Sequence, residues 1–256
     1  MVDTHALSRL LGVVGTVEID GTTYSEDTLL DYLLRGQYAA FGDSDREQEQ
    51  RRIELASVTS AVFDTIIAGP HDPARLVEVV PSLLSGRHLL VYSEVPEQQA
   101  AWVEVGADGS SDGRQVGAYV LNLGASKLDP YLAVDVRVTE ETLGDTTVLD
   151  MRIDIRNEVE NADRLPSYVV GPWEWIDLNE PGEYLGRLAV VLPGSTIEAA
   201  FVSDVPLEVF GPDGQGLVLG TRFRVRPGAT TTIRVRAEIP SLLDSGSLVP
   251  STRPRP

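Results

Sequence analysis

Val148-Leu-Asp-Met-Arg-Ile-Asp-Ile-Arg156 alternates between apolar and charged side chains from Leu149 onward. Successive side chains of a β-strand point to opposite faces of the sheet, so the apolar residues share one face and the charged residues share the other. One buried face and one solvated face are typical of an antiparallel sheet. We therefore expect Asp150 and Asp154 to lie on the solvent face, opposite arginines of a neighbouring strand.

The same alternation returns near the carboxyl end of the chain. The runs Leu217–Val225 and Thr231–Ile239 carry arginines on one face and apolar residues on the other, and Arg226-Pro-Gly-Ala-Thr joins them. Gly- and Pro-punctuated strands of this kind predict an antiparallel, immunoglobulin-like β-sandwich over residues 114–240. The Ser/Pro/Arg-rich residues 241–256 are predicted to form a disordered tail.

The linker Gly106-Ala-Asp-Gly-Ser-Ser-Asp-Gly113 separates these strands from a first half of different character. In residues 1–107, apolar stripes at helical spacing alternate with short strand-like runs. Asp20-Gly21 is a type I′ turn signal between strands predicted at Val13–Ile19 and Thr22–Tyr24. The apolar run His88–Tyr92 is predicted to be a buried central strand. The predicted class is α+β, a truncated α/β segment followed by the sandwich.

Capping residues predict where the helices of the first half begin and end. The expected N-caps are Asp3 or Thr4, Ser25, Asp43 or Ser44, and Asp72 followed by Pro73, while Gly12, Gly36 and Gly69 are the expected stops. A further short helix is expected from Pro96. In the longest helix Leu55, Val58, Val62 and Ile66 fall at spacings of three and four, which predicts one buried stripe.

Composition excludes several classes of protein. The formal net charge of -18 repels nucleic acid, anionic membranes and anionic wall polymers unless a local basic site overrides it. Without cysteine the chain has no disulfide, thiolate nucleophile or zinc–thiolate site. No apolar run reaches the ~20 residues that span a bilayer, and the first residues lack the pattern of a signal peptide.

The run from Asp43 to Arg52, Asp-Ser-Asp-Arg-Glu-Gln-Glu-Gln-Arg-Arg, is the most chemically suggestive one. Its candidate ligand-binding residues are Asp43, Asp45, Arg46, Arg51 and Arg52. Arginines at a helix N-terminus can hold a pyrophosphate, and paired aspartates can hold Mg²⁺. The alternative is a solvated first turn in which Glu47 pairs with Arg51 and Arg46 with Glu49. Helical spacing points the three arginines in different directions, which favours the alternative.

Two further candidate sites lie in the second half. The first comprises Asn122, Lys127, Asp129 and Tyr131, around the only lysine of the chain, which either contacts a ligand anion or Asp129, or is a surface residue of a turn. The second is the aromatic pair Trp173 and Trp175, which suits stacking on a glycan or packing in a core. The three histidines have no metal-like spacing, and no local catalytic motif occurs, so enzyme activity has no support from motifs.

Dispersed runs resemble the actinobacterial proteins of domain of unknown function 4012. They are Val2–Gly21, Gly86–Gln98, Gly117–Tyr131 with its Asn122, Lys127, Asp129 and Tyr131, Leu165–Gly171, and the strand pair around Arg226-Pro-Gly228. The resemblance covers nearly the whole chain. It implies the outward-facing part of a membrane-anchored cell-envelope protein, whose targeting and anchor segment and first α/β segment are not in this sequence. The expected partners are a cell-wall glycan or envelope proteins, with a membrane contacted only through the anchor, and no cofactor is expected.

A second resemblance lies within the first. The order of elements before the long helix is similar to that of LytR–CpsA–Psr-type envelope phosphotransferases, which transfer a glycopolymer from a polyprenyl pyrophosphate carrier with arginines and Mg²⁺. Their pattern Asp-x-x-Arg-x-x-Arg-Gln is matched at Asp43, Arg46 and Gln50, but Glu49 stands where the second arginine belongs. A carboxylate there repels a pyrophosphate. The expected function is therefore binding or assembly at the cell surface, with a phosphotransferase as the alternative. Mg²⁺ is expected as a cofactor only for that alternative.

Overall fold

The chain folds into two compact units, Met1–Ser110 and Ser111–Pro256. The computed structural model describes residues 1–42, 44–109, 116–171, 180–193, 198–201, 203, 205–213, 216–240 and 251–254. Helices and one hairpin form the described part of the first unit, and the second unit consists mainly of strands. The predicted α+β class is confirmed.

Capped helices build the first unit. Its elements are α1 (Thr4–Val14), β1 (Val17–Ile19), β2 (Thr22–Tyr24), α2 (Glu26–Asp31), a π-helical turn (Tyr32–Gly36), α3 (Gln37–Ala39), α4 (Asp45–Ala68), α5 (Pro73–Ser85) and α6 (Pro96–Glu104). The side chains of Asp3, Ser25, Ser44 and Asp72 accept hydrogen bonds from the first turns of α1, α2, α4 and α5, as predicted. Asp20 and Gly21 have φ values of 48° and 77°, which confirms the type I′ turn.

Two glycines predicted to end helices lie inside helical segments. Gly12 is within α1, which continues to Val14 and ends at Gly15. A Cβ atom at Gly12 would lie 2.1 Å from Oε2 of Glu26, so this glycine makes room for the side chain at the start of α2. Gly36 likewise continues from the π-helical turn into α3. These two stops, and the early start of the strand predicted at Val13–Ile19, were wrong.

The apolar run His88–Tyr92 is not a central strand. Its backbone contacts are with the last turn of α5, the start of the chain and the residues that follow α6. His88 N–H donates to Leu83 O at 2.8 Å, Asp3 N–H donates to His88 O at 3.1 Å, and Val91 N–H donates to Ala107 O at 2.8 Å. Within the described residues of the first unit, the only strand pairing besides the hairpin β1–β2 is a single bridge from Val2 to Leu89. The α/β interpretation of residues 1–107 depended on this strand and is corrected accordingly.

Two small apolar clusters form the core of the first unit. One joins α1, α2 and α4 through residues that include Leu11, Leu29 and Val62. The other joins α1 to α5 through residues that include Ala6 and Leu83. The predicted stripe of α4 is confirmed, because Val58 and Val62 are buried while Leu55 and Ile66 pack against the first cluster. The apolar face of each helix therefore holds the unit together.

Two sheets make up the described part of the second unit. Its elements are β3 (Gly117–Asn122), a 3₁₀ turn (Asp129–Tyr131), β4 (Leu132–Leu143), β5 (Thr146–Asn157), a 3₁₀ turn (Ala162–Arg164), α7 (Ser167–Val170), β6 (Tyr184–Pro193), β7 (Glu198–Phe201), β8 (Val209–Asp213), β9 (Gly216–Val225), β10 (Thr230–Pro240) and β11 (Ser251–Pro254). The strand order is β4-β5-β10-β7 in one sheet and β11-β3-β6-β9-β8 in the other. Every pair is antiparallel except β11 with β3.

The alternation of side chains along β5, β9 and β10 is confirmed. Ile153 and Ile233 lie directly opposite each other and are fully buried. Asp150 is exposed and pairs with Arg236 on β10, where Asp150 Oδ2 lies 3.6 Å from Arg236 Nη1. Asp154 lies on the same solvent face, but the residues directly opposite it are Asp135 on β4 and Thr232 on β10, so the expected opposite arginine was wrong for this residue. Its arginine partner, Arg152, belongs to its own strand. The register deduced from the sequence is therefore the observed one.

Strand β11 lies within the segment 241–256 that is predicted to be a disordered tail. Residues Ser251–Pro254 pair in parallel with β3, starting with Ser251 opposite Gly117. The prediction is corrected for these four residues. The other residues of that segment lie outside the described part of the chain.

Candidate ligand-binding surfaces

The start of α4 is a self-contained capping structure. Glu47 N–H donates to Ser44 Oγ, and Ser44 N–H donates to Glu47 Oε2, both at 3.3 Å. This capping box satisfies backbone groups that a helix N-terminus would otherwise offer to an anion. Asp45 is exposed in the first turn, and Asp43 lies outside the described residues. The capping box is therefore sufficient to explain why α4 begins at this point, and no bound ligand is needed to explain it.

The three arginines of this run do not converge. Arg51 is buried, and it donates from Nη1 to Gln37 Oε1 at 2.8 Å and from Nε to Gln48 Oε1 at 3.1 Å. Arg52 is exposed and lies 3.0 Å from Glu49, and Arg46 is exposed as well. One guanidinium therefore holds α4 against neighbouring helical residues while two face solvent. A pyrophosphate contacting all three would require a different arrangement.

The second predicted site contains a tight polar cluster. Asn122 Nδ2 donates to Asp129 Oδ2 at 2.9 Å, and the Tyr184 hydroxyl donates to Asp129 Oδ1 at 2.8 Å. Asn122 also closes its own loop, since its Oδ1 accepts from Gly124 N–H and its Nδ2 reaches Ser126 O. Burial first, and then the neighbouring Asp129 carboxylate, raise the pKa of Tyr184 well above its ordinary value. Tyr184 therefore stays a hydrogen-bond donor at neutral pH and fixes the loop on β6.

Lys127, through its side chain, and Tyr131, through its backbone carbonyl, contact different neighbours of this loop. Lys127 Nζ lies 5.6 Å from the centroid of the Tyr168 ring, a cation–π distance. Tyr131 O accepts a hydrogen bond from Glu158 N–H at 2.7 Å. Asn122 and Asp129 are thus brought together, with Tyr184 as a partner that sequence reasoning missed. Trp173 and Trp175, the predicted glycan-stacking pair, lie outside the described residues.

Sequence reasoning also missed a row of three arginines on the first sheet of the second unit. Arg137 on β4 is directly opposite Arg152 on β5, which is directly opposite Arg234 on β10. Neighbouring strands are about 4.8 Å apart, so the three side chains start side by side. Like charges in directly opposite positions destabilise a sheet unless neighbouring groups compensate. The sequence places each of these arginines on the polar face of its strand. Showing that they lie side by side requires the register between the three strands.

Carboxylates of the adjacent rows compensate this arginine row. Arg137 Nε lies 3.2 Å from Asp135, and Arg152 donates through Nε and Nη2 to the two oxygens of Asp154 at 2.8 and 3.0 Å. These hydrogen bonds, followed by one from Thr232, lower the pKa of Asp154. No carboxylate partner of the Arg234 side chain occurs among the residues that the structure describes. The sheet thus presents an ordered, charged face, on which the Arg234 guanidinium has no carboxylate partner among the described residues.

A histidine pair joins the start of α1 to the segment that follows α5. The rings of His5 and His88 are 4.2 Å apart, and His88 Nδ1 lies 2.7 Å from Asp3 Oδ2. Burial lowers the pKa of His5 most, followed by the neighbouring His88. Arg9 also lowers this pKa, whereas the carboxylates of Asp3 and Glu26 raise it. Protonated His5 is therefore less favourable in the folded chain than in the unfolded one.

We expect the stability of the first unit to fall as the pH drops from 7.5 to 5.5. Below the unfolded histidine pKa of about 6.5, the unfolded chain binds more protons than the folded one, so acid favours unfolding. In His5→Gln this decline should be shallower, and urea midpoints at pH 7.5, 6.5 and 5.5 measure it. His71→Gln, outside the cluster, should keep the wild-type slope. Parallel declines in wild type and His5→Gln would contradict the expectation.

Comparisons with known proteins found no relative of this chain. No family model matches it, and neither the curated proteins nor the solved structures contain a match. Across the described ranges, no group of three or more acidic or histidine side chains is placed to hold a metal ion, and no helix is long and apolar enough to cross a bilayer. Functional inference therefore depends on the surfaces themselves.

Proposed function

We propose that the chain is a binding or assembly module of a membrane-anchored protein on the outer side of the cell membrane. The observation that carries this proposal is the charged face of the sheet β4-β5-β10-β7, defined by the row Arg137, Arg152 and Arg234 and its flanking carboxylates. Backbone pairing fixes the positions on the sheet from which these side chains extend, so a ligand would meet a surface of defined charge spacing. The resemblance to actinobacterial envelope proteins supports the location.

The arrangement of α4 supports binding over phosphotransfer. A phosphotransferase site needs several cationic groups aimed at one pyrophosphate, and the guanidinium of Arg51 is instead engaged with Gln37 and Gln48. Arg52 is held by Glu49. Binding of a cell-wall glycan or an envelope protein requires no such convergence, because a flat surface with spaced polar groups suffices.

The two sheets of the second unit are proposed to form an immunoglobulin-like sandwich. Their strands alternate buried and solvated side chains, and Asn157 at the end of β5 donates to Val225 O at the end of β9, which joins the sheets at one end. A rigid two-sheet body of this kind holds a binding face at a fixed geometry. This proposed architecture is the scaffold on which the charged face is presented.

Co-sedimentation with purified insoluble cell-wall material tests the binding function. We expect the chain to sediment with the wall, and Arg152→Gln/Arg234→Gln to bind at least about tenfold more weakly, since each lost charged contact removes on the order of 1 kcal/mol. Arg46→Gln/Arg75→Gln changes the charge equally on the first unit and should bind like the wild type. Equal loss in both double variants would indicate a net-charge effect and contradict the proposed surface.

Calorimetric titration with a soluble prenyl pyrophosphate, with and without Mg²⁺, tests the phosphotransferase alternative. We expect no heat of binding, because the arginines of α4 diverge and Glu49 repels a pyrophosphate. Micromolar, Mg²⁺-dependent binding that disappears in Arg46→Ala would overturn this expectation. It would also move the assignment from a binding module to an enzyme.

A further inference from the structure

Strand β4 is a long sheet edge. It has twelve residues and stands first in the order β4-β5-β10-β7, so one of its sides has no strand partner within the described residues. Strand β11 comes near β4, but its ladder runs to β3. Natural edge strands are usually protected by proline, bulges, lysine or inward-pointing charges. Leu132–Leu143 contains neither proline, glycine nor lysine, and the one charged residue on the side of its valines, Glu140, lies beyond the stretch Val134–Val138. The edge is therefore suited to pairing.

The turn that follows β4 determines which backbone groups face the free edge. Leu143 and Thr146 are opposite each other across the two-residue turn Gly144-Asp145, and Gly144 has a φ of 65°, as in a type II′ hairpin. The closing pair of such a hairpin exchanges both hydrogen bonds, so odd-numbered residues of β4 bond to β5. The N–H and C=O groups of Val134, Val136 and Val138 consequently point to the free edge.

The side chains of the same three valines are incompletely covered. Each is half-buried, whereas their partners on β5, namely Ile155, Ile153 and Met151, are at most 2% exposed. A strand added beside β4 would cover the valines with its own inward-facing residues. It would thereby extend the apolar face of the sheet by one row.

We propose that β4 pairs with β4 of a second copy, antiparallel and symmetric about Val136. In this register Val136 faces its own copy, and Val134 faces Val138 of the second copy. Asp135 faces Arg137 of the second copy, and the two-fold axis creates that ion pair twice. The residues already face solvent on the same side of the sheet, where Arg137 Nε lies 3.2 Å from Asp135 within one strand. The result is one continuous eight-stranded sheet with an isologous interface.

Charge selects this register over its neighbours. Centring the pair on Val138 would place Asp135 opposite Glu141, and centring it on Asp135 or Arg137 would place like charges on the axis. Centring it on Val134 would leave both charges without an opposite partner. Only the Val136 register combines outward-pointing backbone groups, apolar contacts and opposite charges. In this register Asp135 and Arg137 of the second copy form a non-hydrogen-bonded pair. The side chains of such pairs lie closer together than those of hydrogen-bonded pairs, which strengthens the ion pair.

This self-association goes beyond the proposed ligand-binding function and does not depend on it. Two copies would place their charged faces side by side on the same surface of one sheet, which doubles the area offered to an extended ligand. The net charge of -18 on each copy opposes the association, so the dimer should weaken at low ionic strength. A dimer with micromolar affinity is the expected result.

Sedimentation velocity of the full chain, from about 1 to 100 µM at 0.15 M salt, tests the proposal. We expect the wild type to dimerise, and Asp135→Arg and Arg137→Asp each to raise the dimer dissociation constant at least about 30-fold, because each creates two like-charge contacts. An equimolar mixture of the two variants restores both opposite-charge pairs. It should therefore form a heterodimer within about threefold of wild-type affinity.

Glu141→Arg is the matched control, because it changes the charge as Asp135→Arg does on the same strand but outside the proposed register. It should dimerise like the wild type. A wild type that stays monomeric throughout the range would overturn the proposal, as would single variants that dimerise normally. Failure of the mixture to restore the dimer would overturn it too, because the rescue follows directly from the Val136 register. If the chain is monomeric and still binds the cell wall, the dimer proposal fails while the proposed binding function is retained.

Discussion

Replacing Asn157 by alanine should lower the free energy of unfolding of the second unit by about 3–4 kcal/mol. Asn157 is fully buried at the end of β5. Its Nδ2 donates to Gly182 O at 2.8 Å and to Val225 O at 3.0 Å, and its Oδ1 accepts from Val159 N–H at 3.1 Å. Alanine would leave three buried backbone groups without partners, each costing about 1–3 kcal/mol before relaxation.

Urea unfolding followed by tryptophan fluorescence measures this effect. Trp102 is in the first unit and the other two tryptophans are in the sequence of the second, so a Trp102→Phe background makes the signal report on the second unit. Asn161→Ala, at an exposed position four residues on, should change stability by less than about 0.5 kcal/mol. A loss below about 1 kcal/mol in Asn157→Ala would show that these hydrogen bonds are dispensable.

Local signals predicted the fold best where a single residue determines a boundary. Ser44 and Asp72 were found from the sequence because an N-cap acts on backbone groups only two or three residues away. The polar face of β5 was equally accessible, since alternation of period two needs no knowledge of neighbouring strands. Gly12 failed because its role depends on Glu26, whose approach is a tertiary contact. The run His88–Tyr92 failed for a related reason, as an apolar run gives no information about its pairing partner.

The charged face could be predicted from the sequence only in part. Arg137, Arg152 and Arg234 were visible as polar-face residues, but their alignment requires the register of three strands. The turn Gly144-Asp145 sets the first register by sequence proximity, while β10 reaches β5 from a distant part of the chain. Tyr184 was missed as a partner of Asn122 and Asp129 for the same reason, because 55 residues separate it from Asp129. Long-range pairing therefore limits prediction of sites more than prediction of elements.

Gly186→Ala should destabilise the second unit by about 2–3 kcal/mol, the next largest effect that we expect. Gly186 lies on β6 directly opposite Phe223, and the rings of Tyr184 and Phe223 stack over it with centroids 5.9 Å apart. A Cβ atom there would lie 2.5 Å from Phe223 Cζ and 2.6 Å from Tyr184 Cε1. Both rings are buried, and the hydrogen bond to Asp129 restrains Tyr184, so neither ring can move away without loss.

A double-mutant cycle separates ring crowding from a simple backbone effect of alanine. Phe223→Leu removes one of the two crowding rings, so Gly186→Ala should cost at least about 1 kcal/mol less in that background. Gly211→Ala is the control, because the site has no atom within 4 Å of an added Cβ and should tolerate alanine. If Gly186→Ala costs the same with and without Phe223, crowding of the rings is not the reason that this position requires glycine. Stability would then depend on the backbone of β6, and the Tyr184–Asp129 anchor should survive the substitution.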